Sequence, residues 1–180
     1  NTCVALRDGD EYYMVDAGGG NGILKILDNM QVPLERIHHI FVTHAHTDHV
    51  LGIVWMIRMI ATKMKKDQYV GDAYIYCHSE LIETIRTLCR LTIQDKFYNM
   101  IGNRIHLEEV KDGETRHILS YDVTFFDIHS TKSTFPNVKS NLNSSESRFY
   151  PSLLKDVTRT ISESFPNTMK KNSESDVRNF

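Results

Sequence analysis

Residues 44 to 49, His44-Ala45-His46-Thr47-Asp48-His49, put four potential metal donors into six consecutive positions, and Gly52 follows three residues later. Zinc takes neutral imidazole and carboxylate, and a catalytic zinc keeps about three protein ligands plus an open position for water. A His-x-His pair leaving a strand can aim both rings at one ion. The Asp-His pair one step further on can serve a neighbouring ion. Two metals about 3.5–4 Å apart stabilise both the attacking and the leaving oxygen of a displacement. The chemistry implied is metal-assisted hydrolysis. The competing reading is a polar loop that happens to be rich in histidine, which accounts for one His far better than for four donors.

The neighbouring segments must hold this cluster in place. A helical reading exists, with His44 and Asp48 at i, i+4 spacing, but the run Ile40-Phe41-Val42-Thr43 favours a strand, then a loop, then a helix. Upstream, Cys3 to Leu6 and Tyr12 to Val15 read as strands joined by Asp8-Gly9-Asp10, a hairpin signal. Asp16-Ala17-Gly18-Gly19-Gly20 makes a turn, Ile23 to Met30 has helical spacing, and Pro33 opens a turn before a strand over His39 to Thr43. Downstream, Val50 to Lys66 reads as a long, mostly buried helix and Ala73 to Cys77 as a strand. Ser79 is expected to cap a helix from Glu80 to about Arg90. Signals weaken between 91 and 120, apart from a strand near Ile105 to Glu108. Tyr121 to His129 reads as a further strand.

The cluster has the HxHxDH pattern of the metallo-β-lactamase superfamily, preceded at a suitable distance by Val15-Asp16-Ala17-Gly18, which resembles that family's Asp-containing turn. Thr43 to Gly52 followed by an apolar helix is most similar to ribonuclease Z-type members. The resemblance covers about residues 1 to 132. It implies that His44, His46 and His129 hold one metal and that Asp48 and His49 begin a second, with zinc as the ion at both. It also implies that Asp48 accepts a proton from the attacking water, and that the Asp16 carboxylate supports the ligands from behind. His129, in Phe125-Phe126-Asp127-Ile128-His129-Ser130, has a structural strand-end histidine as its other reading. The family pattern further calls for a later bridging Asp after a glycine and a final His. No His follows His129, and neither Asp156 nor Asp176 has a preceding glycine. The second metal site is therefore expected to be incomplete.

From Ser133 to Phe180 there is no Gly, His or Cys, and Ser and Asn supply 16 of 48 residues. Such a stretch has few residues for a core, so a poorly structured tail is expected, with one helix near Leu153 to Ile161. The expected architecture is an α/β fold, an incomplete metallo-β-lactamase-like αββα sandwich over 1–132, followed by that tail over 133–180. The chain starts on Asn1 beside a strand, which suggests a natural start further upstream.

Composition excludes little. Apolar residues at 41% and charged residues at 24% suit a globular protein with one core. A formal net charge of -2 offers no global attraction to nucleic acid. Three cysteines without CxxC spacing argue against a disulfide framework and for a reducing, cytoplasmic setting. The apolar run Val50 to Thr62 is too short to span a bilayer and is broken by Arg58.

Gly18-Gly19-Gly20-x-Gly22 resembles a phosphate-cradling loop but lacks its spacing and lysine, so a turn beneath the metal site explains it better. Lys63, Lys65 and Lys66 read as a solvated helix end rather than an RNA-binding patch. Cys77 and Cys89 read as packing residues. His78 reads as a strand end, and His38, His39, His106 and His117 as surface or core residues.

The reading that follows is a zinc-dependent metallo-hydrolase, a ribonuclease Z-like phosphodiesterase with RNA as substrate, two zinc ions per complete site and activity impaired by the missing donors. The alternatives are a non-catalytic metal-binding remnant of the fold, a hydrolase of thioesters, lactones or β-lactams, and an RNA-binding module using the lysines.

Overall fold

The computed structural model describes residues 3–127, 149–151 and 177–179. Strands β1 (Val4–Asp8) and β2 (Glu11–Val15) pair antiparallel with Asp8 opposite Glu11, leaving Gly9 and Asp10 as the turn. Gly9 sits at φ +59°, a conformation that glycine adopts without steric cost. Helix α1 (Gly22–Asn29), a single 3₁₀ turn (Leu34–Arg36) and strand β3 (Ile37–Phe41) follow. Then come α2 (Thr47–Met64), β4 (Ala73–Cys77), α3 (Ser79–Thr92), α4 (Asp95–Tyr98), β5 (Ile105–Glu109), β6 (Thr115–Ile118) and β7 (Tyr121–Asp127). Two short strands, β8 (Phe149–Pro151) and β9 (Val177–Asn179), complete the described chain.

The larger sheet runs β5-β4-β3-β2-β1-β9, parallel from β2 through β5 and antiparallel at β1 and β9. The smaller sheet runs β6-β7-β8. Parallel neighbours need crossover connections, and helices α1 to α4 supply them. Strand alternation then assigns each residue to a face. Met14, Ile40, Ile75 and Ile105 face the helices, where Ile53, Met56, Ile57 and Ile60 of α2 cover them, all fully buried. Burying one such side chain contributes about 1.5–3 kcal/mol relative to leaving it exposed. The opposite face carries Tyr13, Val15, Phe41 and Tyr76, which pack on Ile118, Val123 and Phe125 of the smaller sheet. Phe41 and Phe125 meet with ring centroids 5.1 Å apart. Three layers of an αββα arrangement are thus present among the described residues: helices, main sheet and second sheet.

Several boundaries differ from the sequence reading. Strand β3 ends at Phe41, two residues early, because Val42 N–H still reaches Tyr76 O while Thr43 N–H turns to a side chain. Helix α2 begins at Thr47, so Asp48 and His49 lie inside its first turn. Helix α3 is capped by His78, not Ser79: its imidazole accepts from Glu80 N–H at 3.4 Å. α4 and β6 fall in the stretch whose signals were weak. The helix expected near Leu153 to Ile161, and the last two residues of the strand expected to reach His129, lie outside the described residues.

Candidate metal centre

The site is built at the carboxyl ends of β2 and β3, where open α/β sheets place their ligands. Asp16, the first residue past β2, sits at φ +59°, a conformation sparsely populated by residues other than glycine. Its own N–H donates to Phe41 O at 2.7 Å, which ties the turn to the end of β3. The turn aims a buried carboxylate across the strand ends. Asp16 Oδ1 accepts Thr43 N–H at 2.8 Å, while Oδ2 accepts the Thr43 hydroxyl at 2.8 Å and His49 Nδ1–H at 2.6 Å. Burial pushes the Asp16 carboxyl up from its ordinary value, opposed by the hydrogen bond and charge of His49 and by the Thr43 donors.

These bonds decide the imidazole tautomers. Thr43 Oγ1 has given its proton to Asp16, so it can only accept from His44 Nδ1, 2.8 Å away. His49 Nδ1 faces a carboxylate and must donate. Both rings therefore carry the proton on Nδ1 and present a lone pair on Nε2. A carboxylate or hydroxyl behind each imidazole, fixing which nitrogen is free, is how metal-binding histidines are held.

The outward donor atoms come in two pairs. His44 Nε2 and His46 Nδ1 are 3.1 Å apart, and His49 Nε2 and Asp48 Oδ2 are 3.5 Å apart. Two donors each about 2.0–2.1 Å from one tetrahedral zinc ion lie roughly 3.3 Å from one another, so both spacings match a shared ion. The 3.1 Å separation also suits a ring-to-ring hydrogen bond while His46 keeps its Nδ1 proton. The His44 and His49 rings meet tilted by 48° with centroids 3.9 Å apart, which brings the pairs side by side. Donor type, tautomer and spacing all fit zinc. Among the described residues no group of three or more His, Cys, Asp or Glu side chains gathers around one point. The structure brings His44, His46, Asp48 and His49 together as two close pairs, and His129 lies outside the described residues.

Two contributors escaped the sequence reading. Thr43 relays the Asp16 charge to His44, and only its position just before His44 could have signalled this. Gly52 lets the loop carrying Asp16 lie against α2: its N–H donates to Gly18 O at 2.9 Å, and a Cβ there would come 1.8 Å from Ala17 O. The glycine run does serve as a turn beneath the site. Cys77 and Cys89 are buried free thiols whose pKa burial pushes up to about 12, in keeping with packing roles.

Residues 1–61 match the family model of the metallo-beta-lactamase superfamily. The fold agrees: 84% of this chain superposes on 58% of the metallo-beta-lactamase fold protein YhfI from Bacillus subtilis, at TM-score 0.55 and 14% identity. The chain carries the metallo-β-lactamase fold. It is 32% identical over 113 residues to the ribonuclease Z of Thermococcus sibiricus, a match that spans 63% of this chain and 33% of that protein. It is 25% identical over 109 residues to the ribonuclease Z of Parabacteroides distasonis, which spans 61% of this chain and 34% of the other. The chain therefore spans about a third of the length of these relatives.

Proposed function

We propose that this chain is a metal-dependent phosphodiesterase acting on RNA, with His44, His46 and His129 at one zinc ion and Asp48 and His49 at a second. One observation carries the reading: Asp16 and Thr43 hold His44 and His49 by Nδ1, which turns Nε2 of each ring towards a second donor, His46 Nδ1 at 3.1 Å and Asp48 Oδ2 at 3.5 Å. The names of the relatives support RNA as the substrate. Zinc, when bound, polarises water and offsets the negative charge that develops on phosphate oxygens.

The protein's own residues do the rest. Asp48, 60% exposed at the mouth of the site, accepts the proton released by the attacking water. Asp16 holds His49 through the 2.6 Å bond and, through Thr43, keeps His44 from rotating. Gly52 keeps the Asp16 loop close enough for both contacts. Three buried free cysteines suit a reducing compartment such as the cytoplasm. Among the described residues no helix is long and apolar enough to cross a membrane.

The finding of only paired donors favours a second reading for the chain by itself, a metal-binding fold without turnover. Hydrolysis of bis(p-nitrophenyl) phosphate and of a labelled RNA separates the two. The hydrolase reading expects zinc-dependent turnover that is abolished in His46→Ala. Tight zinc binding with no turnover on either substrate supports the second reading instead.

A further inference from the structure

Beside the metal centre runs a groove of about 530 Å³, bounded by the outer face of α2, the end of α3 and the glycine loop after β2. Its floor is apolar, with Leu51, Val54 and Trp55 from α2 and Leu88 and Ile93 from the other wall. Positions 51, 54, 55 and 58 share one helical face, turned away from the core face of Val50, Ile53, Met56, Ile57 and Ile60. Trp55 is the only tryptophan of the chain, half-buried, with the exposed Arg58 guanidinium 5.1 Å from its ring centroid. Gln94, exposed at the rim, is the N-cap of α4 yet makes no side-chain capping bond. The near end of the groove touches the metal-ligand segment: a Cβ on Gly19 would lie 3.6 Å from Asp48 Cα and 3.7 Å from Thr47 O.

We propose that this groove binds a single-stranded RNA segment flanking the cleaved bond, with a base stacked on Trp55 and Arg58 paired to a phosphate. The inference rests on the RNA-hydrolase reading above and adds a site to it. An indole beside a guanidinium suits a planar ring that carries an anion, and base–aromatic stacking tolerates any base. Trp55 stands seven residues along α2 from Asp48, a rise of about 10 Å. That is the span of about three stacked nucleotides at about 3.4 Å each. A strand could therefore occupy the groove and reach the metal donors at once, with the Gly19-Gly20 turn, which carries no side chains, between them.

Because Trp55 is the sole tryptophan, its fluorescence reads the groove directly. The zinc-loaded full chain is titrated with a short single-stranded RNA, with adenosine monophosphate and with octanoate, and quenching is recorded before turnover. Saturable quenching by RNA and by the nucleotide is expected, with affinity for RNA about tenfold weaker in Arg58→Ala. By fluorescence anisotropy of labelled RNA, Trp55→Leu weakens binding similarly. Absence of quenching by RNA, quenching by octanoate in its place, or equal RNA affinity in Arg58→Ala overturns the proposal. Quenching without RNA cleavage supports the groove and removes the hydrolase reading. Cleavage without quenching does the reverse.

Discussion

Histidines and carboxylates meet at both ends of the parallel strands, and the two ends use them differently. At the amino ends, His38 spends Nδ1 on Asp72 O at 2.9 Å and directs Nε2 to Glu11 at 3.6 Å. His106 Nε2 bonds Asp72 Oδ2 at 2.9 Å, and Arg104 sits 3.5 Å from the other oxygen of that carboxylate. Each nitrogen named there faces an acceptor within the protein. At the carboxyl ends, one buried Asp16 takes the Nδ1 protons directly or through Thr43, and the opposite nitrogens lie 3.1 Å from His46 Nδ1 and 3.5 Å from Asp48 Oδ2. The same residue types thus make ion pairs at one end and a candidate cation site at the other. What separates them is burial of the anchoring carboxylate: Asp16 is buried, whereas Asp72 and Glu11 are partly exposed.

Mutation can break this contrast at its backbone support first. Gly52→Ala places a methyl group 1.8 Å from Ala17 O, so either the Asp16 loop or α2 must move. Urea unfolding should show a loss of about 2–3 kcal/mol, the cost of overpacking a tight contact. Zinc affinity should fall with it. Next comes Asp16→Asn, which removes the charge that orders Thr43 and His49. Competition with a chromophoric chelator should show zinc binding weakened about 10–100-fold. An unchanged affinity would mean that the carboxylate does not orient the ligands.

The remaining tests probe the rest of the sheet and its amino end. Burial, and then the charge of His38, depress the His39 pKa from 6.5 to about 4. The folded state thus resists a proton that the unfolded chain accepts, so stability is complete above about 6.5, declines as pH falls and levels off near 4. Discounted for partial exposure, the loss should be about 1–2 kcal/mol. Unfolding free energies measured across this range should flatten in His39→Phe. Asp72→Asn gives the smallest effect, at most about 1 kcal/mol, because its pairs are partly exposed and screened by solvent. It should leave zinc affinity untouched, the opposite of Asp16→Asn.

How far the sequence disclosed this contrast depended on range. Strand β4 stands at the residues expected from its pattern, and the β1–β2 turn lies where the Asp8-Gly9 signal put it. The ligand cluster was legible because its donors are adjacent in the chain. Long-range geometry was not. Nothing local says that Asp16 crosses to Thr43, or that Gly52 must admit a carbonyl from a loop more than thirty residues earlier. The end of β3 was misplaced for the same reason, since Thr43 has strand propensity but spends its N–H on a distant carboxylate. His78 displaced Ser79 as the α3 cap because strand β4 carries the chain straight into the helix.

The tautomer assignment is the claim on which the metal reading stands, and ¹⁵N–¹H long-range correlation NMR of the histidine rings measures it directly, before and after zinc is added. The account predicts Nδ1–H tautomers for His44 and His49 without metal, and zinc-dependent shifts at their Nε2 nitrogens while His38 and His106 stay unmoved. A proton on Nε2 of His44, or zinc shifts at His38 and His106 in place of His44 and His49, would contradict it.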